Sequence, residues 1–256
     1  MSSVLVTGGT GVLGSRVVSR LAAMGHDVKI FSRRVGAGEG GATVVRGEMR
    51  SGQGLREAVA GVESIVHCAS SALWRARTTE VQGVRNLIEA VDGAQPHLLY
   101  ISIVGVDRIP YYYYRAKWEA EQIVEAGSLP WTILRATQFH SLPSTYALGS
   151  FIAMPKGIRA QLVDASEVAG RLVELVEAGP GHRVPDFGGP EVLSIRDVAR
   201  LRQEIRGERL RVIETPALGK TVAAFKAGHN LCPDQAEGRI THEEYLRSIL
   251  DFDSEE

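Results

Sequence analysis

The 256-residue chain has only two cysteines, Cys68 and Cys232, far apart in sequence. Two isolated thiols do not make a disulfide framework, so stability has to come from a packed core. Aromatic residues are scarce at 6%, but 44% of the chain is apolar, enough for one full core with a small appendage. No apolar run approaches the ~18 residues that span a bilayer. No basic segment and apolar stretch precedes the first strand signal at Val4, so the expectation is no signal peptide and a cytoplasmic location. Excess charge is missing too: 29 basic residues stand against 30 acidic ones, with no long run of either sign. That balance gives no support to a nucleic-acid or membrane partner. The histidines other than His67 and His140 have no metal-ligand spacing, so no metal is expected.

What is present is a rhythm. Short β-branched runs at 3–8, 27–32, 42–46, 62–70, 97–105 and 131–136 alternate with helical patterns, among them 12–24 and 112–126. This predicts an α/β fold, a doubly wound, mostly parallel sheet covered on both faces. After Thr137 the rhythm breaks, and "TQFHSLPSTYALGSFIAMPKG" shows no clean period. A helix resumes at "DASEVAGRLVELVEAG", with Asp164 and Glu167 in capping-box spacing, and another is expected to be capped at Ser194. The whole chain, 1–256, reads as one dinucleotide-binding domain. Segments 137–160 and 180–256 are expected to form a smaller substrate-facing or lid portion.

The strongest signal is "VLVTGGTGVLGSRVV". Gly9, Gly11 and Gly14 fit G-x-G-x-x-G, with Gly8 ahead of them, between a strand and a helix. A tight strand-to-helix turn needs backbone freedom. A side chain at Gly11 would hold the backbone away from a pyrophosphate, and Gly14 allows close helix packing. The helix N-terminus then offers N–H groups and a positive dipole end to the phosphates. Gly8, Gly9, Thr10, Gly11, Val12, Leu13 and Gly14 are therefore the expected phosphate-binding segment. Selection of NAD usually uses a carboxylate about 20 residues further on. Here the second strand ends in Ser32, Arg33 and Arg34. Arginine suits a 2′-phosphate, so NADP(H) is favoured, with NAD(H) possible.

Four of the seven tyrosines stand together in "PYYYYRAK", residues 110–117. With TGGTGxxG and "LPWTILRATQFH", the Tyr-x-x-x-Lys pattern here resembles the short-chain dehydrogenase/reductase superfamily, and more narrowly its atypical, NmrA-like NAD(P)-binding branch. The likeness extends through "GGPEVLSIRDVA" and so covers nearly the whole chain. It implies a catalytic pair, Tyr113 and Lys117. Four residues apart on a helix, they share a face. The apolar stripe Ala116, Ala120, Ile123 and Val124 puts Tyr113 near its middle, Tyr112 toward its edge as a pocket-lining residue, and Tyr111 and Tyr114 on the far side. A nearby ammonium lowers a phenol pKa by roughly 1–3 units.

The resemblance further implies that Lys117 holds the nicotinamide ribose and that Ser102 orients a carbonyl oxygen. The neighbour that is often another serine is Ile103. It implies that Cys68, Ala69 and Ser70 pass the adenine ribose, that Glu48 lies near adenine, and that Gly83 and Asn86 position a helix. His140 lies just past the sixth strand, where it either meets a substrate or serves as a polar loop residue. Phe139, Tyr146, Phe151 and Met154 form either an apolar substrate wall or irregular core. The expectation is an NADPH-dependent reductase of a carbonyl or quinone-like, aromatic small molecule. The alternatives are a non-catalytic redox sensor that reports nucleotide to a partner protein, and an oxygenating enzyme of aromatic natural products.

Overall fold

The computed structural model describes residues 1–33, 39–71, 76–142, 147–148, 151–207 and 211–253. In chain order the elements are β1 (Ser3–Thr7), α1 (Val12–Ala23), β2 (Asp27–Ser32), β3 (Thr43–Arg46), α2 (Leu55–Val59), β4 (Ser64–His67), a π-helical turn (Thr78–Gln82) running into α3 (Gly83–Ala90), β5 (His97–Ile103), α4 (Tyr112–Ala126), β6 (Trp131–Ala136), β7 (Gln138–Phe139), β8 (Ala147–Leu148), β9 (Phe151–Pro155), β10 (Arg159–Val163), α5 (Ala165–Ala178), β11 (His182–Arg183), β12 (Val192–Ser194), α6 (Ile195–Arg206), β13 (Arg211–Thr215), α7 (Lys220–Lys226) and α8 (His242–Asp253).

The chain divides into two compact units. The first holds Met1–Ser102, Tyr112–Arg135 and Ala165–Pro185. Its seven-stranded sheet has the order β11-β6-β5-β4-β1-β2-β3. The pairs β1–β2, β1–β4, β2–β3, β4–β5 and β6–β11 are parallel. The predicted doubly wound sheet is present, with β11 as an additional edge strand.

Both faces are covered, which is why the strands read as unbroken apolar runs. Val4, Leu5 and Val6 are all fully buried. Because side chains alternate along a strand, Leu5 points to one face and its neighbours to the other. Leu5 joins Ile65, Leu98, Tyr100 and Ile133 in a cluster with Leu55 of α2, Leu87 of α3 and Val124 of α4. Val6 pairs in register with Ile30 on the opposite face. A methyl added at Gly9 would touch both Ile30 and Val18, which places α1 over that face. α1 packs there against α5. Its Val17, Val18 and Leu21 are fully buried, each contributing about 1.5–3 kcal/mol. The helical pattern expected over 12–24 does end there, with Gly25 at φ +83 in the left-handed region.

The second unit holds Ile103–Tyr111, Ala136–Asp164 and Asp186–Glu256. It contains two three-stranded sheets, β12-β10-β7 and β13-β9-β8. The sequence showed no period over 137–160 because β7 to β10 have only two to five residues each. α6 is capped at Ser194 as expected. Its hydroxyl accepts from the Asp197 N–H at 3.2 Å, and Asp197 returns the favour to the Ser194 N–H at 3.1 Å. Among the described residues no helix is long and apolar enough to cross a membrane, and none form a group of three His, Cys, Asp or Glu suited to a metal.

Candidate active site

The glycine turn is built where β1 and β4 leave the sheet together, with Thr7 opposite His67. The strand order reverses between these two, the place where such sheets open a crevice. Gly8 sits at φ +68, and a Cβ there would lie 2.7 Å from the Ala69 backbone nitrogen. Glycine is thus required both by conformation and by space. A Cβ on Gly14 would lie 2.2 Å from the Gly8 carbonyl oxygen. The close contact expected for Gly14 is therefore with its own turn. That carbonyl also accepts from the Gly11 N–H at 2.9 Å.

Gly11 is the N-cap of α1, with extended backbone, no side-chain cap and no acidic residue in the first turn. Thr10, Gly11 and Val12 are exposed, while Leu13 is buried beneath them. The first-turn N–H groups therefore receive no acceptor from a cap. Uncapped donors, a helix dipole and no side chain at Gly11 suit a pyrophosphate.

At the end of β2, Ser32 is buried and Arg33 exposed. Arg34 and Tyr146 lie outside the described residues. Glu48 differs from expectation. Its carboxylate accepts a two-pronged bond from Arg50, at 3.3 and 3.0 Å. That bond, aided by the charge of Arg33, holds Glu48 below the usual carboxylate range. The carboxylate expected near adenine is thus engaged by Arg50, which local sequence did not announce.

The end of β4 is fixed from β1. The Thr7 hydroxyl lies 2.8 Å from His67 Nδ1 and accepts the Ala69 N–H at 3.3 Å. Burial, reinforced by the Lys117 charge, pushes His67 down to about 3, so its ring is neutral. Burial pushes the Cys68 thiol up to about 12.

Three of the four consecutive tyrosines lie on α4. Its buried residues are Tyr114, Ala116, Lys117, Ala120, Glu121 and Val124. Two of these are charged, so the buried arc is centred well away from the apolar residues alone. Tyr114 is only 6% exposed, against the expectation of a surface position, and Tyr112 is 43% exposed, against the expectation of a pocket wall. Tyr113 keeps its inward direction and is half-buried.

Its hydroxyl lies 2.6 Å from Ser70 Oγ, which donates to Glu80 Oε1 at 2.7 Å. Glu80 also accepts from the Ser71 N–H at 3.0 Å and, at Oε2, from Tyr100 at 3.4 Å. Lys117 Nζ lies 3.3 Å from Glu80 Oε2, donates to the Ile101 carbonyl at 2.7 Å and sits 4.2 Å from the Tyr100 ring centre. Both members of this ion pair are essentially inaccessible. Breaking such a pair from one side costs about 3–5 kcal/mol, because the other charge stays buried.

Lys117 therefore differs from the sequence expectation. Its ammonium is committed to Glu80 and Ile101 rather than to the Tyr113 hydroxyl one turn back. Glu80, Tyr100 and the function of Ser70 as the link were missed. Glu80 belongs to the π-helical turn, a local widening often found at functional sites. Its sequence neighbours, two threonines and a valine, gave no sign of it. Ser102 is 3% exposed, and its hydroxyl has no hydrogen-bond partner among the described residues. A buried orphan hydroxyl invites a ligand-based explanation.

Phe139 and His140 belong to the second unit. Phe139 is half-buried in β7, which pairs with β10. His140 is 2% exposed. Its Nδ1 is 3.2 Å from His242 Nδ1, and its Nε2 is 3.0 Å from the Ile240 carbonyl. The ring stacks on Tyr245 with centroids 5.0 Å apart. With both nitrogens used inside that unit, His140 is a packed histidine and the substrate assignment is corrected. Asn86 donates to the Met49 carbonyl at 2.7 Å, and Gly83 packs on Met49, so this pair does position its helix.

The strand order and glycine turn define the class: a Rossmann-type NAD(P)-binding fold. The chain belongs to the NAD(P)H-binding family, whose model matches residues 8–178. It is 28% identical over 223 residues to the (4-alkanoyl-5-oxo-2,5-dihydrofuran-3-yl)methyl phosphate reductase of Streptomyces griseus, covering 82% of this chain and 76% of that one. It is 22% identical to the photosystem II assembly factor Ycf39 of Trieres chinensis over 98% of this chain and 85% of that one. In fold it is similar to the NADPH-dependent quinone oxidoreductase of Escherichia coli solved with NADPH. There the TM-score is 0.77 at 16% identity, covering 96% of this chain and 99% of that one.

Proposed function

We propose that the chain is an NADPH-dependent reductase of a carbonyl or quinone-like, aromatic small molecule. The observation that carries this reading is Tyr113, a half-buried residue whose hydroxyl lies 2.6 Å from Ser70 at the surface, one turn from a buried lysine and in the same unit as an uncapped glycine turn. The first turn of α1 would grip the pyrophosphate through its N–H groups. Arg33 would face the 2′-phosphate, since no carboxylate stands at the end of β2 to reject it. When bound, the dihydronicotinamide supplies a hydride to the substrate carbon.

Tyr113 gives its hydroxyl proton to the oxygen that gains the carbonyl electron pair. Ser102 supplies a hydroxyl toward the same oxygen, a use for a buried group otherwise without a partner. The names of the Streptomyces reductase and the Escherichia quinone oxidoreductase support this chemistry.

The likeness to an assembly factor favours a second reading, nucleotide binding without turnover. A panel of quinones and ketones followed by NADPH absorbance separates the two. The expected result is turnover that falls about 10²–10⁴-fold in Tyr113→Phe with nucleotide affinity unchanged. Equal turnover in that variant refutes the acid assignment, and binding with no turnover on any substrate refutes the reductase.

A further inference from the structure

The proton bookkeeping around Glu80 points beyond the Tyr113–Lys117 pair. The four neighbours of its carboxylate are all donors: Ser70 Oγ at 2.7 Å, the Ser71 N–H at 3.0 Å, Lys117 Nζ at 3.3 Å and the Tyr100 hydroxyl at 3.4 Å. A carboxylate facing an ammonium is acceptor-only. A serine hydroxyl has a single hydrogen, and that of Ser70 is spent on Glu80. Ser70 can then take part in the 2.6 Å contact with Tyr113 only as the acceptor. The phenol hydrogen of Tyr113 is therefore aimed at Ser70, and the chain runs Tyr113 to Ser70 to Glu80.

We propose that Glu80, acting through Ser70, is the positioning residue that sets the direction and the acidity of the Tyr113 hydroxyl. This rests on the reductase reading only for its catalytic meaning; the hydrogen-bond order stands without it. The phenol does not face a lone ammonium. Lys117 on its own helix is paired with the Glu80 carboxylate of the π-helical turn, which offsets that charge. Among the described residues, the titratable groups at the ends of β4 and β5 add little net charge. His67 and Cys68 at the end of β4 are neutral, and Tyr100 on β5 is held neutral by burial and by Glu80. The Arg77–Glu119 pair, at 3.0 Å, is matched and exposed.

Acceptance by Ser70 stabilises the neutral phenol, and Glu80 disfavours the phenolate. To give its proton to substrate, Tyr113 must turn away from Ser70. Once it has done so, the phenolate sits beside a serine whose hydrogen is pledged elsewhere. Glu80 thus restrains Tyr113 as an acid, which Lys117 alone would not.

The test reads the tyrosine directly and needs no substrate. Tyrosinate absorbance is titrated in the wild-type chain, with Tyr113→Phe subtracted to isolate residue 113, and again in Glu80→Gln and Ser70→Ala. The expected result is a downward shift of about one unit or more in Glu80→Gln and a smaller downward shift in Ser70→Ala. An unmoved or upward titration in a folded Glu80→Gln chain overturns the proposal. If circular dichroism shows that Glu80→Gln does not fold, Ser70→Ala decides, because Ser70 is exposed and leaves the buried ion pair intact. A titration that stays put in Ser70→Ala overturns the proposal in either case. If the shifts occur while no substrate is turned over, the reductase reading fails and the Glu80 assignment stands.

Discussion

Two glycines three residues apart should fail in different ways when each is given a methyl group. In Gly14→Ala the new Cβ would sit 2.2 Å from the Gly8 carbonyl oxygen and 2.8 Å from Gly9 Cα, both backbone atoms. Helix propensity alone would favour alanine by about 1 kcal/mol. Displacing packed backbone costs about 1–3 kcal/mol or more, so the balance is destabilising. In Gly11→Ala the only close atom among the described residues is the Gly8 oxygen, at 3.2 Å, and φ is −90°. Alanine fits there at about 1 kcal/mol of lost capping preference.

At this chain length one kcal/mol moves Tm by about 2–4 °C. Gly11→Ala should melt within about 4 °C of wild type, and Gly14→Ala should melt lower still. Nucleotide binding should rank the other way for the folded fraction. The Gly11 methyl occupies the approach to the uncapped N–H groups, and losing one charge-assisted bond weakens NADPH about 10- to 100-fold. Calorimetric melting and titration with NADPH measure both quantities. If Gly11→Ala binds NADPH as tightly as wild type, the phosphates do not lie at this turn, and the reasoning from uncapped donors is wrong.

Arg33→Ala should weaken NADPH about 10-fold and leave NADH nearly unchanged, since only the 2′-phosphate loses a partner; equal losses for both nucleotides would remove the preference for NADP. His67 makes stability fall in acid. Its folded pKa of about 3 lies below the ordinary ~6.5, so the unfolded chain binds the extra proton between those values. The stability it contributes is complete above about pH 6.5 and declines as pH falls toward 3, by about 2 kcal/mol at pH 5. His67→Gln should flatten the fall of Tm over that window, and an unchanged slope would show that His67 is not the group responsible.

The glycine turn was legible because its requirements are local. Positive φ at Gly8 and room for Gly14 follow from a strand turning at once into a helix, whatever lies further along the chain. The alternation of six strands with helices was legible for a similar reason: a sheet covered on both faces demands continuous apolar runs. The direction of α4 was half legible. Its apolar residues gave the inward side of Tyr113 but misplaced Tyr112 and Tyr114, because Lys117 and Glu121 are also buried. Each is buried only because a partner meets it, Glu80 in one case and Arg135, at 2.6 Å, in the other. The short strands β7 to β10 of the second unit were missed for want of length, and the choice between the two readings of His140 stayed open because its partners His242 and Ile240 are about a hundred residues away.

The sequence by itself determined the turn, the alternation of strands and helices along the chain and the spacing of Tyr113 and Lys117, all consequences of backbone sterics and side-chain period over a few residues. The tertiary structure alone decided which polar groups lose water and which neighbour then satisfies them. That decision put Glu80 between Lys117 and Ser70 and directed the Tyr113 hydrogen. A buried charge must find its counter-charge wherever the chain returns, and no local pattern records where that is.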